Sequence, residues 1–395
     1  MMLAAQGLDR VPARSAVKTD VLEAIRRMCV LQIDTIQVVA RSPYLVLWSR
    51  LGDYRPEWLD ELLAEGALFE FWSHAMCFLP IEDYPIYRRL MLDAVDKKNW
   101  PVKWSVKWMQ EHPEVVDRVR SHLQEKGAVR SAEFENKNRP PGGWWNWKEE
   151  KDALESMFLT GEIMVVRRQN FQRVYDLRER VLPGWDDSDI PSSEDVLRTL
   201  ALRSVKALGI ALPAWVPDYF RLPKTGNLQR LEGLAAEGLL SRVEVEGFAS
   251  HAFFHPDQLP LLEEAAVGGR EPTLTTLLSP FDPLVWDRQR AREQFNFDYT
   301  IECYTPAPKR RYGYFTLPIL HRGRLVGRLD PKAHRAQGVF EIKALHLEPG
   351  VVLEDDLLAG LAAALRRMAL WHRTPEVVVR RSDPPEFAPL LEAYL

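Results

Sequence analysis

One sequence pattern recurs three times in this chain and constrains its fold more than any other feature. Each copy places apolar residues at helical spacing, then a glycine, and then a stretch typical of a β-strand. A glycine suits the end of a helix because the backbone there often adopts a positive φ. The copies lie at residues 59–68, 154–163 and 231–240, and their glycines are Gly66, Gly161 and Gly238.

A strand is predicted after each of these glycines. In the second and third copies a polar turn and another short strand come next, so a helix ending in glycine runs into a two-stranded hairpin. This is the sequence pattern of a winged helix, whose helix can enter a DNA groove and whose hairpin can contact the DNA backbone. Generic helix capping is the alternative, and the shared strands favour the winged helix. The predicted strands are residues 68–72, 163–167, 173–177, 239–245 and 252–254.

The last third of the chain has short strand-like segments separated by turn signals, then an amphipathic helix and one more strand. We therefore predict an α+β chain of three tandem winged-helix domains and a C-terminal β-barrel-like domain. The predicted domains are residues 1–100, 101–185, 186–270 and 271–395. The last domain has predicted strands at 297–304, 313–319, 324–329, 338–344 and 377–379 and turns at 306–308, 321–323 and 330–331. The apolar face of its helix carries Leu357, Leu358, Leu361, Leu365 and Met368.

Charge and cysteine content limit the possible partners. The net charge of −4 does not indicate a nucleic-acid-binding protein, so a polyanionic partner needs a local basic face. The cysteines Cys29, Cys77 and Cys303 are too few and too far apart for a disulfide framework or a zinc site, which suits a reducing cytoplasm. No apolar run has the length of a membrane span, and no nucleotide-binding glycine motif is present. We expect a cytoplasmic protein without a metal or a cofactor.

A basic turn occupies the predicted hairpin of the second copy. Residues 167–173 comprise three arginines, two glutamines, an asparagine and a phenylalanine, with no acidic residue. A solvated turn is the alternative interpretation. However, arginine and amide groups suit phosphates and minor-groove edges, and a phenylalanine can wedge between bases. We expect DNA contacts from Arg167, Arg168, Gln169, Asn170, Phe171 and Arg173.

Two further groups of basic residues are candidates for the same partner. One lies upstream of the basic turn, at residues 137–139 and 144–148, where tryptophans accompany the basic side chains. The other comprises Lys309, Arg310 and Arg311, which we predict at the start of a strand in the last domain. Clustered cations of this kind are the electrostatic footprint of a nucleic-acid contact.

Gln32 and Asp34 lie two residues apart, separated by Ile33. In an extended or helix-end conformation both side chains can point into one cleft while the isoleucine packs. A carboxylate beside an amide can hydrolyse a glycosidic bond, because the carboxylate stabilises a sugar cation and accepts a proton from a water that the amide orients. By itself this spacing is also explained by chance or by helix capping.

Three long runs resemble the YcaQ/AlkZ family of bacterial DNA glycosylases, also described as winged-helix DNA-binding domain proteins. The runs are LQIDTIQVVARSPY at 31–44, SPFDPLVWDR at 279–288 and YTPAPKRRYGY at 304–314. The resemblance covers nearly the whole chain and implies three winged helices and a C-terminal β-barrel around a concave DNA channel. Family members usually have several helical residues before the equivalent of Leu3, so a short or trimmed first helix is expected here.

The resemblance also implies an activity. The family's catalytic motif is Gln-Φ-Asp or Gln-Φ-Gln, where Φ is apolar, and Gln32 and Asp34 match the first form. That form is similar to the YcaQ branch, which removes N7-alkylguanines and unhooks interstrand crosslinks. The resemblance therefore implies a monofunctional glycosylase without lyase activity, which acts on double-stranded DNA carrying alkylated or crosslinked purines. Tandem modules around one duplex favour a monomer. Asp34 is expected to stabilise the sugar cation and activate water, and Gln32 to position that water.

Other residues of the family-like runs have two interpretations. Arg41 and His74 are further candidates for DNA contact, although a hydrogen-bonded structural histidine is the alternative at position 74. Asp282 and its neighbours Trp286, Asp287 and Arg288 could brace the β domain through a buried ion pair rather than act in catalysis. Two rival functions also remain, a transcription regulator and a non-catalytic scaffold built on winged helices. Neither of these would depend on Asp34.

Overall fold

The computed structural model describes residues 1–96, 102–134 and 149–395. These residues divide into two compact units. The first comprises Met1–Pro56, Ser73–Met76 and Leu200–Leu395, and the second comprises Glu57–Trp72 and Cys77–Thr199. The division into four domains remains a prediction.

The chain is α+β, as its sequence predicts. The α-helices of the described residues are α1 Met2–Ala5, α2 Lys18–Met28, α3 Ser42–Leu51, α4 Glu57–Ala64, α5 Tyr84–Asp96, α6 Val102–Glu111, α7 Pro113–Lys126, α8 Glu149–Thr160, α9 Arg178–Val181, α10 Ser193–Leu208, α11 Val216–Tyr219, α12 Asn227–Ala236, α13 Leu259–Ala266, α14 Arg288–Phe295, α15 Asp355–Trp371 and α16 Phe387–Glu392. The strands are β1 Leu31–Gln32, β2 Leu68–Trp72, β3 Met76–Pro80, β4 Ile163–Gln169, β5 Gln172–Leu177, β6 Ser241–Val243, β7 Ala252–Phe254, β8 Thr275–Leu277, β9 Leu317–His321, β10 Arg324–His334, β11 Val339–Leu347, β12 Glu376–Val379 and β13 Ser382–Asp383.

The sequence of helix, glycine and hairpin occurs at all three predicted places. Helices α4, α8 and α12 lead into the hairpins β2–β3, β4–β5 and β6–β7. Gly66, Gly161 and Gly238 have φ values of 74°, 79° and 77°, as the capping argument requires. The first copy also contains a second strand, β3, that the sequence pattern did not indicate. That each copy forms a complete winged-helix domain remains a prediction.

Aromatic side chains form much of the core of the second unit. Phe69 packs edge-to-face on Tyr87, with ring centroids 5.7 Å apart, and Phe71 packs in the same way on Phe158 at 5.8 Å. Phe158 in turn contacts Tyr175 of β5 at 6.0 Å. Edge-to-face pairs of this kind add stability beyond the burial of their apolar area. They hold the β4–β5 hairpin on helix α8 and strand β2.

A mixed six-stranded sheet curled into a half-barrel forms the C-terminal part of the first unit. Its order is β12-β11-β10-β9-β8, and β13 also pairs with β11. The pairs β8–β9, β9–β10 and β10–β11 are antiparallel, whereas β12 and β13 run parallel to β11. Helix α15 covers the sheet with a buried face that includes Leu357, Leu358, Leu361, Leu365 and Met368, as the spacing of these residues predicts.

Three predictions for this domain were wrong. Residues 297–304 form no strand. Phe297 and Tyr299 are buried as a strand would require, with their rings stacked 5.7 Å apart, but they are covered by side chains and the segment pairs with no strand of the described residues. Lys309 ends a short 3-10 helix instead of opening a strand. Asp330-Pro331 is not a turn between strands but a break in register within β10. A bulge tolerates proline inside a sheet because the proline does not have to donate to the ladder there.

Candidate functional site

The Gln32–Asp34 segment is held from both sides. Cys29 ends helix α2 with a φ of 61°, and the chain then runs extended through β1. The backbone N–H of Ile33 donates to the carbonyl of Met76 at 2.8 Å. Beyond Asp34, the carbonyl of Val38 accepts from the N–H of Ala333 at 3.0 Å. These backbone bonds fix the segment between the β2–β3 turn and strand β10.

Asp34 is a half-buried carboxylate. Its Oδ1 accepts a hydrogen bond from the backbone N–H of Ile36 at 2.8 Å. Burial raises the pKa of Asp34 above its ordinary value, and the bond from Ile36 offsets this only in part. In the described part of the chain no cationic side chain forms an ion pair with it. The Asp34 carboxylate can therefore interact with a cation that the protein does not supply.

Gln32 presents an acceptor without a protein partner. Its Oε1 is buried and receives no hydrogen bond from the described residues. A buried carbonyl oxygen left in this state costs about 1–3 kcal/mol unless a donor reaches it. An ordered water or a substrate group could supply that donor. Both residues of the predicted motif thus have polar groups available for an incoming molecule.

The charge of Asp34 raises the pKa of two side chains that the sequence did not assign to the site, Cys303 and Tyr304. Burial and the charge of Asp34 raise the pKa of the Cys303 thiol. Tyr304 follows in the chain, and its side chain is exposed, with 84% of the residue accessible. Tyr304 opens one of the three family-like runs, but nothing in its spacing indicates closeness to position 34.

Asp282 braces the same unit instead of facing a cleft. Its carboxylate accepts two hydrogen bonds from the Arg50 guanidinium, at 2.6 and 3.0 Å, and both side chains are buried. Nearby, the hydroxyl groups of Ser42 and Ser279 are 2.7 Å apart. Helix α3 is thereby tied to the loop before α14. The buried ion pair agrees with the bracing interpretation of Asp282.

His74 lies in a closed cluster of side chains. Its ring stacks on Trp286, with centroids 3.9 Å apart and planes inclined by 12°. Nδ1 donates to the carbonyl of Asp218 at 2.9 Å, and Nε2 accepts from the Arg221 guanidinium at 3.1 Å. Burial, reinforced by Arg221, lowers the pKa of His74 to about 3. The ring is therefore neutral and has both nitrogens occupied, which favours a structural role.

Asp287 and Arg288 begin helix α14. The Asp287 carboxylate caps the helix by accepting from the backbone N–H groups of Gln289 and Arg290, at 3.0 and 3.2 Å. Arg288 is exposed at the first position of that helix. Neither residue contacts the Gln32–Asp34 segment through a hydrogen bond that the structure records.

Two arginines of the β4–β5 hairpin are paired within their own unit. The Arg168 guanidinium donates to both carboxylate oxygens of Glu70, at 2.6 and 2.7 Å. Arg173 reaches the same carboxylate at 3.2 Å and also pairs with Glu155 at 3.1 Å. The Glu70 side chain is fully buried. Arg168 and Arg173 thus neutralise a buried carboxylate, which the sequence pattern did not indicate.

The tip of the hairpin remains exposed. Asn170 and Phe171 form its two-residue turn with φ values of 50° and 65°, which is strained for phenylalanine. The Phe171 ring lies against the Arg168 guanidinium at 4.4 Å. Arg167 and Gln169 are exposed beside this turn. Of the predicted hairpin contacts, these tip residues are the ones a partner could reach most directly.

The remaining candidates are spread over several elements. Lys309 and Arg311 are exposed, whereas Arg310 donates to the carbonyl of Thr305 at 2.8 Å and lies over the Tyr314 ring. Arg41 is half-buried at the start of helix α3. The basic and aromatic residues at 137–139 and 144–148 lie outside the described residues.

Two other features are absent from the described residues. No group of three or more histidine, cysteine, aspartate or glutamate side chains there could hold a metal ion. No helix in the same residues combines the length and the apolar character that a membrane crossing requires.

Comparisons with known proteins identify what the chain is similar to. A family model described as "DNA glycosylase AlkZ-like" matches residues 25–371. Among solved structures, the chain is similar to Streptomyces sahachiroi DNA glycosylase AlkZ. The TM-score is 0.60 and the sequence identity 15%, over 96% of this chain and 97% of that chain. At this identity the structural likeness supports the fold alone, whereas the family match spans most of the chain.

Proposed function

The chain belongs to the AlkZ-like DNA glycosylase family, and from that premise we propose that it removes N7-alkylated purines and unhooks interstrand crosslinks. The family acts on N-glycosyl bonds of DNA, so the open questions are the lesion and the residues. The Gln-Φ-Asp form at Gln32 and Asp34 supports membership of the YcaQ branch. The observation that carries the proposal is a half-buried Asp34 carboxylate without a cationic partner among the described residues.

Asp34 supplies the negative charge that this reaction needs. As the bond between base and sugar breaks, positive charge builds up on the sugar, and a fixed carboxylate lowers the energy of that transition state. The ionised form is disfavoured before substrate binds, because burial raises the pKa of Asp34. A developing cation relieves this cost, so the interaction is stronger in the transition state than in the free protein.

Gln32 orients the attacking water. Its buried Oε1 accepts no hydrogen bond from the described residues, so it can accept one from the water. Asp34 can then take the second proton of that water as it attacks the sugar. Gln32 therefore positions the water, and Asp34 supplies the negative charge and accepts the proton.

An N7-alkylated guanine suits a site of this kind because it already carries a positive charge. It leaves as a neutral base and therefore needs no protonation by the enzyme. Residues 31–50 contain no lysine, the residue type that forms a Schiff base in bifunctional lyases. We therefore propose monofunctional hydrolysis that leaves an intact abasic strand.

Contacts with DNA are proposed at two exposed clusters, one in each unit. Arg167 and Gln169 flank the hairpin turn, and Phe171 is held there despite a positive φ. Backbone strain of this kind often accompanies a functional position. Lys309 and Arg311 are the exposed cations of the loop that precedes β9. Phosphates are the partners that such cations prefer.

The proposal is tested by incubating excess protein with two duplexes. One carries a single 7-methylguanine, and the other a nitrogen-mustard crosslink between guanines. We expect free alkylated base, alkali-labile abasic sites and separated strands. The variant Gln32→Leu should release base about 10- to 100-fold more slowly while still binding DNA, because it loses the group that orients the water.

If the intact protein leaves both duplexes unchanged, the proposed function is wrong. A transcription regulator would instead bind one duplex sequence tightly, release no base, and behave identically after Asp34→Asn. A scaffold would bind neither duplex appreciably at any salt concentration.

A further inference from the structure

Within the loop of residues 296–316, between α14 and β9, a single carboxylate ties residue 302 to residues 311–313. Glu302 accepts hydrogen bonds from the backbone N–H groups of Arg311, Tyr312 and Gly313 at 2.9, 2.8 and 3.0 Å. Three such bonds to one ionised group are strong, because each is charge-assisted. Glu302 therefore fixes the backbone at the point where Cys303 and Tyr304 begin.

The loop rests on the strand that also holds the Gln32–Asp34 segment. Gly313 has a φ of 143°, and a Cβ atom added there would lie 2.3 Å from the Asp330 side chain of β10. Only glycine therefore allows the loop to approach this strand so closely. Further along β10, Ala333 donates to the carbonyl of Val38, and Arg335, just beyond the strand, donates to the carbonyl of Val39. One strand thus positions both the loop and the segment.

Most aromatic rings of this loop have structural roles. Tyr299 is buried and donates its hydroxyl hydrogen to the carbonyl of Thr316 at 2.6 Å. Tyr312 lies against the Arg328 guanidinium at 4.2 Å. Tyr304 differs from both, since 84% of it is exposed. The Tyr304 ring therefore buries little surface and contributes little to the stability of the fold.

Electrostatics relate Tyr304 to the reaction site. The pKa of its phenol is raised by Cys303, by burial and by the charge of Asp34. The charge of Asp34 raises the pKa of the Cys303 thiol as well. The exposed Tyr304 ring therefore belongs to a loop that shares strand β10 with the segment carrying the carboxylate to which we assign the sugar cation, and the charge of that carboxylate acts on the Tyr304 phenol.

We infer that Tyr304 stacks on the alkylated base and that its π face selects cationic bases over neutral ones. The inference rests on the proposed function and names how that site recognises its substrate. A cation over a tyrosine ring is attracted by the negative face of the ring, and any base gains from stacking on it. Together these contacts favour a cationic purine over an ordinary guanine.

The chemistry of the step predicts where Tyr304 acts. The positive charge lies on the base in the bound substrate and moves to the sugar as the bond breaks. A contact between the ring and a cationic base is therefore strongest before the reaction. It improves substrate binding, and its loss should leave the rate constant of the bound complex unchanged or higher.

The test compares Tyr304→Leu, which keeps apolar volume but removes the π face, with Tyr304→Phe, which keeps the ring. Trp104→Leu is the matched control, because Trp104 on α6 is 64% exposed and removing it also deletes an exposed aromatic ring. Binding of duplexes with and without 7-methylguanine is measured in an Asp34→Asn background, and single-turnover rates are measured with Asp34 present.

We expect Tyr304→Leu to reduce the preference for the methylated duplex by roughly 2- to 30-fold, with a saturating rate constant that is not lower than that of the parent. Tyr304→Phe and Trp104→Leu should retain the preference. An unchanged preference in Tyr304→Leu overturns the inference, and so does an equal loss in Tyr304→Phe. If the parent protein releases no base, the proposed function fails, and the binding comparison still decides the role of Tyr304.

Discussion

The Gln32–Asp34 segment and the β4–β5 hairpin both gather polar side chains, and they use them in opposite ways. In the hairpin, Arg168 and Arg173 share the buried carboxylate of Glu70 at 2.6 to 3.2 Å. In the segment, Asp34 receives one backbone hydrogen bond and pairs with no cation in the described residues. A buried charge that is paired with an opposite charge contributes to the fold. A half-buried charge without such a partner is unfavourable in the free protein and is available to a substrate.

The difference shows how to separate structural from functional polar groups. Breaking a buried pair leaves an uncompensated charge in the core and destabilises the fold strongly. Removing a charge that burial already disfavours relieves a cost instead. Removing the Asp34 charge should therefore lower activity without lowering stability, whereas breaking the Glu70 pairs should lower stability.

The largest expected effect comes from Asp34→Asn. Asparagine keeps the shape and the acceptor for the Ile36 N–H but loses the charge, so single-turnover release of 7-methylguanine should fall about 10²- to 10⁴-fold. DNA affinity should change little. Because the pKa of Asp34 is higher in the folded protein than in the unfolded chain, ionisation destabilises the fold at neutral pH.

The same variant should therefore unfold at an equal or higher temperature than the parent at neutral pH. This advantage should shrink as the pH falls through the raised pKa, since protonation then removes the charge from the parent as well. A loss of activity accompanied by a clear loss of stability would contradict this account of Asp34.

Glu70→Gln should have the next largest effect, and on stability. It leaves Arg168 and Arg173 facing a neutral amide, and we expect the free energy of unfolding to fall by about 3–5 kcal/mol. Urea denaturation measures this. Glu155→Gln is the matched control, because Glu155 also pairs with Arg173 but is 43% exposed, and it should cost less than about 1 kcal/mol. Equal losses in the two variants would contradict the buried-pair interpretation of the hairpin.

Arg167→Gln should have the smallest effect. This exposed arginine flanks the hairpin turn and is proposed to contact one phosphate. Its removal should lower the slope of log affinity against log salt concentration by about 0.9 and leave stability unchanged. Arg118→Gln, which changes an exposed arginine on α7, serves as the control and should leave the slope unchanged. If both variants keep the parent slope, Arg167 makes no phosphate contact.

Local patterns predicted much of this fold. Glycine capping and strand-like segments identified the β4–β5 and β6–β7 hairpins and the first strand of the β2–β3 hairpin, and helical spacing identified the buried face of α15. These predictions succeed because helix capping, strand formation and helical spacing depend on residues that are close together in the sequence. The prediction of a strand at 297–304 was wrong. Phe297 and Tyr299 alternate with polar residues as in a strand, but contacts with residues distant in the chain bury them.

The candidate site was predictable only in part. The Gln32–Asp34 pair was recognised through its motif and the family resemblance, but its lack of partners is a property of the folded chain. The pairing of Arg168 with Glu70 joins residues 98 positions apart, and no local pattern indicates it. The loop that carries Tyr304 was missed for the same reason, since only the fold places that loop and the Gln32–Asp34 segment on the same strand, β10.

The central claim is that the ionised Asp34 carboxylate drives base release. Its most direct test is the single-turnover rate of 7-methylguanine release at subsaturating protein, divided by the protein concentration and measured between about pH 4 and pH 8, because this rate constant reports ionisations of the free protein. The account predicts that this rate constant falls as the pH drops, with a midpoint above the ordinary aspartate pKa of about 4, because burial raises the pKa of Asp34. The residual rate of Asp34→Asn should not show this fall. A parent rate constant that is independent of pH, or the same fall in Asp34→Asn, would contradict the claim.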